Sequence, residues 1–447
     1  MAQKITKNYT QIFQGLALTV TILSLSACQT ADTGGDASTT DAGNTDNADN
    51  VSDTSSNGEG LKIGTLFPIT GDLASIGQNM PVAVQLAVDT INACNGVNES
   101  PVTLVNEDSQ TDPSAGVTAM TKLAEVDRVA GVAGAFASSV SGAAVDVAVR
   151  NKIMLISPGS TSPVFTDRAQ NGEFEGYWAR TAPPDTYQAQ ALAALAQKEG
   201  FENVSTVVIN NDYGVGFEQQ FVQAFEKSGG KIADKNSPVR YDPKAPTLDS
   251  EAKAAFGSKP DAVAAVLYAE TGSVLLKSAF EQGLTEGVTI LLTDGVYSED
   301  FITQVGKTGD GKSIIAGALG TVPGANGQAL ADFTNLWKEN IQKEVSAFVP
   351  HSWDAAILMM LAAEAADANT GEGIQSQIRE VANAPGTEVT DPCEAMELVR
   401  NGEDINYQGA SGNVDIDENG DVIGGYDVWQ VNEDGTLEVV DNVTPTN

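Results

Sequence analysis

Several apolar runs of this 447-residue chain end in residues that could do chemistry. "VAGVAGAF" is followed by Ser138 and Ser139. "KIMLIS" empties into "PGSTSP", which holds Gly159, Ser160 and Thr161. "VVINN" leads into Asp212-Tyr213-Gly214, "VLYA" carries Tyr268, and "TILLT" leads into Asp294-Gly295. The earlier sites offer hydroxyls and backbone N–H groups, some at a helix start, and these suit a carboxylate. The later ones offer aromatic rings and an acid, which suit an ammonium group and an apolar side chain. An α-amino acid presents both charges side by side. Each residue alone is an ordinary cap or turn residue. The pattern repeated at successive strand ends points to a small zwitterion.

Other chemistries fit less well. "GKTGDGKS", Gly306 to Ser313, matches the phosphate-loop letters. That loop works between a strand and a helix whose N-terminus holds the phosphate. Here helix-like "EDFITQV" precedes it and strand-like "IIAGALGTV" follows. "DIDENG", Asp415 to Gly420, begins like a calcium loop, but Tyr426 stands where a bidentate Glu is needed. The single histidine, His351, cannot complete a metal set with distant cysteines, and no G-x-S-x-G elbow is present. Asp and Glu are too abundant for any glycosidase pair to stand out. No metal, cofactor or enzymatic activity is expected.

The elements that position these residues alternate. Strand-like "LKIGTLFPITG", "PVTLVNED", "VAGVAGAF" and "KIMLIS" are separated by amphipathic stretches such as "NMPVAVQLAVDTIN". The rhythm restarts after Pro183-Pro184 with helical "DTYQAQALAALAQKEG", then "VSTVVINN", "AVAAVLYA" and "VTILLT". Continuous apolar strands between helices mean parallel sheets covered on both faces. Two such series predict an α/β protein with two doubly wound lobes. Two long helices, roughly 326–344 and 353–368, follow. Asn419-Gly420 and Asp434-Gly435 between alternating apolar runs predict C-terminal β-hairpins.

The N-terminus sets the compartment. Lys4 and Lys7 precede an apolar stretch from Phe13 to Leu25, the layout of a secretory signal. The stretch is shorter than the roughly 20 residues of a membrane span. "LSAC", ending at Cys28, resembles the lipobox of bacterial lipoproteins, which implies lipidation of Cys28. Residues 29–60 hold seven acids and no Lys or Arg among small polar residues, a composition expected of a flexible tether. The net charge of −36 argues against nucleic acid or an anionic membrane surface as partner. Cys94 and Cys393 remain, and in an oxidising compartment both a disulfide and two buried thiols are open.

From Leu61 onward the chain resembles the solute-binding lipoproteins of bacterial ABC transporters for branched-chain and neutral amino acids, the type I periplasmic binding fold of leucine-binding-protein-like proteins. The resemblance rests on "KIGTLFPITGDLASIGQNMPVAVQLAVDTIN", "GVAGAFASS", "IMLISPGSTSP", "YWARTAPPDTYQAQALA", "NNDYGVGF", "LLTDGVYS" and "INYQGASGNVDID", in order across the globular part. It implies that Ser138 holds the ligand carboxylate, that Gly159 offers a carbonyl to the ammonium, and that Thr161 offers its N–H and hydroxyl. It implies that Tyr213 closes from the second lobe and that Asp294 pairs with the ammonium. Ser75, Ile76, Tyr268 and Trp353 fall at side-chain-pocket positions. Asp294 is shorter than the Glu usual in relatives, and Ile76 replaces a frequent aromatic. The implied layout is a signal peptide (1–27), lipidated Cys28 and tether (28–60), lobe 1 (61–182), lobe 2 (183–318), a return to lobe 1 (319–415), and C-terminal hairpins mostly on lobe 2 (416–447). The implied mechanism is a monomeric clamp. It closes by a multi-crossover hinge, with "ARTAPP" as one crossing, and docks on a membrane permease outside the cytoplasm. Urea or a short amide as ligand, a signalling lipoprotein, and a secreted hydrolase are the alternatives.

Overall fold

Strand β1 (Lys62–Phe67) is buried along almost its whole length, as a strand covered on both faces must be. The computed structural model describes residues 60–233 and 235–444, so the export signal, Cys28 and the acidic segment lie outside the described residues. β1 pairs in parallel with β2 (Thr103–Asp108) on one side and β3 (Gly131–Gly134) on the other. β4 (Met154–Ser157) and β5 (Trp178–Arg180) extend the sheet, giving the order β2-β1-β3-β4-β5. Successive connections leave β1 in opposite directions. The switch point therefore lies between β1 and β3, where open α/β sheets bind ligands.

The second sheet repeats the device. β6 (Asn203–Ile209) is flanked by the short β7 (Lys231–Ile232) and β8 (Val239–Tyr241) on one side and by β9 (Ala262–Val266) on the other. β10 (Thr289–Leu292) and β11 (Leu319–Pro323) continue in parallel. Leu319–Pro323 thus belongs to the second sheet, and the return to lobe 1 begins after Pro323 rather than at residue 319. The cause is topological: β11 is the strand on which the antiparallel C-terminal hairpin is laid.

On its return the chain forms helices Gln328–Ile341 and Val349–Ala365, close to the two long helices expected. The second is buried from Val349 through Ala363, which makes it the central helix of lobe 1. A small sheet, β12 (Thr387–Val389), β13 (Ile405–Gly409) and β14 (Gly412–Asn413), packs beside it. Buried Asp354 ties helix to sheet by accepting from the Ala410 and Ser411 N–H groups and the Ser411 and Tyr407 hydroxyls. No described helix is long and apolar enough to cross a membrane.

Of the two hairpin signals, one forms a hairpin. Asp434-Gly435 joins β15 (Tyr426–Val431) to β16 (Leu437–Val443), which lies on the edge of the second sheet. Asn419-Gly420 instead makes a turn on lobe 1. Asp417 accepts from the Asn419 and Asp421 N–H groups, and the Gly420 carbonyl accepts from Arg180 N–H. Gly420 has φ of +83°, and a Cβ there would come within 2.4 Å of the Trp178 carbonyl. The pull of Arg180 on Asp421 overrides the local hairpin preference.

Cys94 and Cys393 form a disulfide with their Cα atoms 5.6 Å apart, which settles the open cysteine question. Cys94 ends helix Met80–Ala93, and Cys393 lies in the first turn of helix Pro392–Arg400. The bond joins the first and last passes of the chain through lobe 1. Replacing both cysteines by serine is expected to lower unfolding stability by about 2–4 kcal/mol, seen as a lower urea midpoint.

Candidate functional site

The loop after β4 is built to present one residue. Ser157 Oγ donates to the Ala135 carbonyl at 2.5 Å and accepts from Ser160 N–H at 2.8 Å. Ser160 Oγ lies 3.0–3.1 Å from the Phe136 and Ala135 carbonyls and 2.8 Å from Ser141 Oγ. From beneath, fully buried Arg180 donates to the Ser160 and Ser162 carbonyls, both at 3.0 Å. Gly159 packs flat on Phe136, where a Cβ would come within 2.0 Å of the ring. The Thr161 hydroxyl, between these anchored neighbours, is buried without a hydrogen-bond partner. Ser160 therefore faces the lobe interior, its hydroxyl spent on lobe-1 groups. Ser138 begins helix Ser138–Arg150, and its hydroxyl accepts from Ser162 N–H at 3.3 Å. Ser139, next to it, is half-buried.

Lobe 2 contributes from β6, β9 and β10. Asn211 caps helix Asp212–Lys227 by accepting from Gly214 N–H, which fixes Tyr213 in the first turn. The Tyr213 hydroxyl donates to Asp294 Oδ1 at 2.8 Å and meets the Thr293 hydroxyl at 2.7 Å. Its ring stacks on Tyr268 at 5.6 Å, 14° from parallel. Gly295 permits this packing, since a Cβ there would lie 2.4 Å from the Leu267 carbonyl. Tyr268 is itself buried. Asp294 is almost fully buried, and burial pushes its carboxyl up to about 6, while the Tyr213 hydroxyl favours the ionised form.

The structure adds a residue that sequence reasoning missed. Asp185, the first residue of helix Asp185–Lys198, is fully buried with neither carboxylate oxygen hydrogen-bonded. Its N–H donates to the Thr161 carbonyl at 2.8 Å. Burial, then the nearby Asp294 charge, holds its carboxyl well above the usual range. Thr161, Asp185, Asp294 and Tyr213 thus form one enclosed polar group where the lobes meet. Two buried carboxylates with unspent acceptor capacity suit a ligand that brings positive charge and several N–H donors.

The remaining expected residues divide. Ser75 lies at the cleft rim, its hydroxyl 3.3 Å from Ser298 of lobe 2, and Ile76 is buried beside it. Trp353 is not brought to this cluster. It packs on Phe333 with ring centroids 5.1 Å apart and lines a side cavity of about 240 Å³ with Tyr407 and Leu336. It lies in helix Val349–Ala365, and its buried side chain fills the interface with helix Gln328–Ile341. His351 is buried, and burial pulls its pKa down to about 3, so the ring is neutral. Its carbonyl accepts from the Thr181 hydroxyl of "ARTAPP". Asp421 in the calcium-like loop is engaged by Arg180 and Thr166. In "GKTGDGKS" Lys307 and Ser313 form an antiparallel bridge, and strand β11 is the next regular element.

Two α/β lobes, joined by crossovers and closed on an enclosed polar seat, define a ligand-binding clamp of the periplasmic binding type. The chain belongs to the receptor family ligand binding region, whose family model matches residues 79–434. It is 25% identical over 397 residues to the chemotactic signal transduction system substrate-binding protein BasB of Halobacterium salinarum, covering 85% of this chain and 88% of that one. It is also 25% identical over 328 residues to the Leu/Ile/Val-binding protein BraC3 of Rhizobium johnstonii, with 73% and 85% covered. Its fold matches the leucine binding protein LivK of Thermotoga maritima with a TM-score of 0.72 at 24% identity, covering 86% of this chain and 99% of that chain. The type I periplasmic binding fold and the substrate-binding class are thereby shown.

Proposed function

We propose that this protein captures a neutral amino acid, of the branched-chain class, between its lobes and delivers it to an ABC permease. The observation that carries this reading is the pair of buried carboxylates, Asp185 and Asp294, beside the unpartnered Thr161 hydroxyl. An α-ammonium placed there would supply the charge and the N–H donors that the carboxylates lack. Ser138 and the N-terminus of its helix would take the α-carboxylate. Buried Ile76 and the Tyr213–Tyr268 stack offer apolar surface to a side chain. The Leu/Ile/Val-binding relative supports the same ligand class. In this reading the protein acts as a monomer, outside the cytoplasm, held to a membrane through lipid on Cys28, and performs no chemistry itself.

Calorimetric titration tests it. Leucine, isoleucine or valine is expected to bind, while 4-methylpentanoate, which is leucine without its amino group, is expected to bind at least about 100-fold more weakly. Equal affinities, or no binding of any amino acid, would overturn the reading. pH supplies a second check. An ammonium ligand favours the ionised acids, so affinity should rise as pH climbs through about 6. The ligand-free protein should show the opposite sign. A carboxyl whose folded pKa is raised contributes most below its unfolded value, and that contribution is lost as pH climbs through about 6. Co-purification of a permease with the loaded protein tests delivery; capture of a membrane transducer, the role suggested by the chemotactic relative, would replace that half alone.

A further inference from the structure

Helix Ala269–Glu281 of lobe 2 has Tyr268 at its N-cap position, a residue with no side-chain cap to give. Its N-terminal N–H groups would ordinarily need an acceptor from Ser, Thr, Asp or Asn. The acceptor comes from the other lobe. Asp72 Oδ1 accepts from Thr271 N–H at 2.8 Å, and Asp72 Oδ2 accepts from the Thr271 hydroxyl at 2.7 Å. The Asp72 carbonyl also accepts from Glu270 N–H at 3.4 Å.

The lobe-1 side of this contact is fixed in advance. Asp108, at the end of β2, accepts from Ile69 N–H, Thr70 N–H and the Thr70 hydroxyl. Leu73 N–H donates to the Thr111 hydroxyl. Gly71 has φ of +90°, and a Cβ there would come within 2.1 Å of the Gln110 carbonyl, so the turn admits glycine alone. On the lobe-2 side the contact runs into the candidate ligand seat. Thr271 Oγ1 lies 3.2 Å from the Tyr241 hydroxyl, which accepts from Tyr268 N–H at 3.3 Å. Tyr268 stacks on Tyr213.

We propose that Asp72 is a closure latch: a positioning residue of lobe 1 that caps a lobe-2 helix only while the cleft is shut, and so sets how tightly ligand is held. Opening the lobes leaves the Thr271 donors to water. Closing them restores two charge-assisted hydrogen bonds and fixes Tyr268 beside Tyr213. The ligand then need not supply all the free energy of closure.

The proposal rests on the clamp reading, and the test separates the two. Asp72→Ala, Thr271→Val and the double variant are titrated with L-isoleucine. Asp72→Ala is expected to weaken binding about tenfold. Thr271→Val should weaken it less, and the double variant should be no weaker than Asp72→Ala alone. Spin labels on the exposed Asn151 and Glu281 report the lobe separation. In Asp72→Ala the closed population at a fixed subsaturating L-isoleucine concentration should fall, a change that a merely local structural role would not give. Wild-type affinity in Asp72→Ala, within twofold, overturns the latch and leaves the amino-acid reading standing. If the wild-type protein binds no amino acid, that reading fails and the latch is judged on ligand-free lobe distances. A shift of Asp72→Ala to longer separations then upholds it, and identical distributions overturn it.

Discussion

Asp294→Ala is expected to weaken amino-acid binding by about 100- to 1,000-fold, since truncating one partner of a buried charge pair costs 2–5 kcal/mol or more. The same substitution should make the ligand-free protein more stable. Holding this carboxyl at about 6 rather than at its ordinary 3.8 costs on the order of 3 kcal/mol at neutral pH. A residue kept for packing would lose stability on truncation, whereas a residue kept for ligand charge gains it. Paired thermal melts with and without isoleucine read both effects. A urea- or amide-binding protein would lose little affinity, so the variant also separates those ligand classes. Asp294→Asn preserves the Tyr213 contact and should reproduce both effects.

Arg180→Met carries the second large effect, with the opposite consequence for stability. Arg180 is fully buried and is the sole cation within 4.0 Å of the Asp421 carboxylate among the described residues. Its Nε donates to Asp421 Oδ1 at 2.7 Å, and it also holds the Ser160 and Ser162 carbonyls and the Thr166 hydroxyl. Removing it leaves a buried carboxylate uncompensated, which costs about 3–5 kcal/mol. Adding Asp421→Asn should recover part of that loss, because the unpaired charge goes with it. Ligand affinity should fall as well, since the loop presenting Thr161 loses its support. A urea midpoint within error of the wild type would show that this network does not stabilise the fold.

Much of this architecture is legible in the sequence because its strands are continuous apolar runs separated by amphipathic helices, a pattern with few other solutions. Thr161, Tyr213 and Asp294 could be picked out because the carboxyl ends of such strands converge at the switch points. Asp185 could not. After Pro183-Pro184 at a helix start it has the signature of an ordinary N-terminal acid, and its burial depends on residues remote in the chain, Thr161 and Asp294 among them. Ser160 and Thr161 are adjacent and chemically alike, yet one turns into the lobe and the other out of it. That choice is made by Ala135, Phe136 and Ser141, which lie elsewhere in the chain. Asn419-Gly420 failed as a hairpin signal for a similar reason, since a turn preference worth little was outweighed by the tie between Asp421 and Arg180. The resemblance puts Trp353 at the cleft, whereas helix packing places it on Phe333.

The bond between Cys94 and Cys393 has a mechanical consequence. It spans a sequence separation of 299 residues, and that interval contains all of β6 to β11. A force applied between the two ends of the chain passes through the sulfur bridge and bypasses the enclosed residues. Only the stretches before Cys94 and after Cys393 can then be drawn out, among them β1 and the C-terminal hairpin. Lobe 2 can lose that hairpin under load while the rest of its sheet stays slack. In single-molecule pulling, the contour length released should be short under oxidising conditions and should lengthen by the enclosed segment once the bridge is reduced.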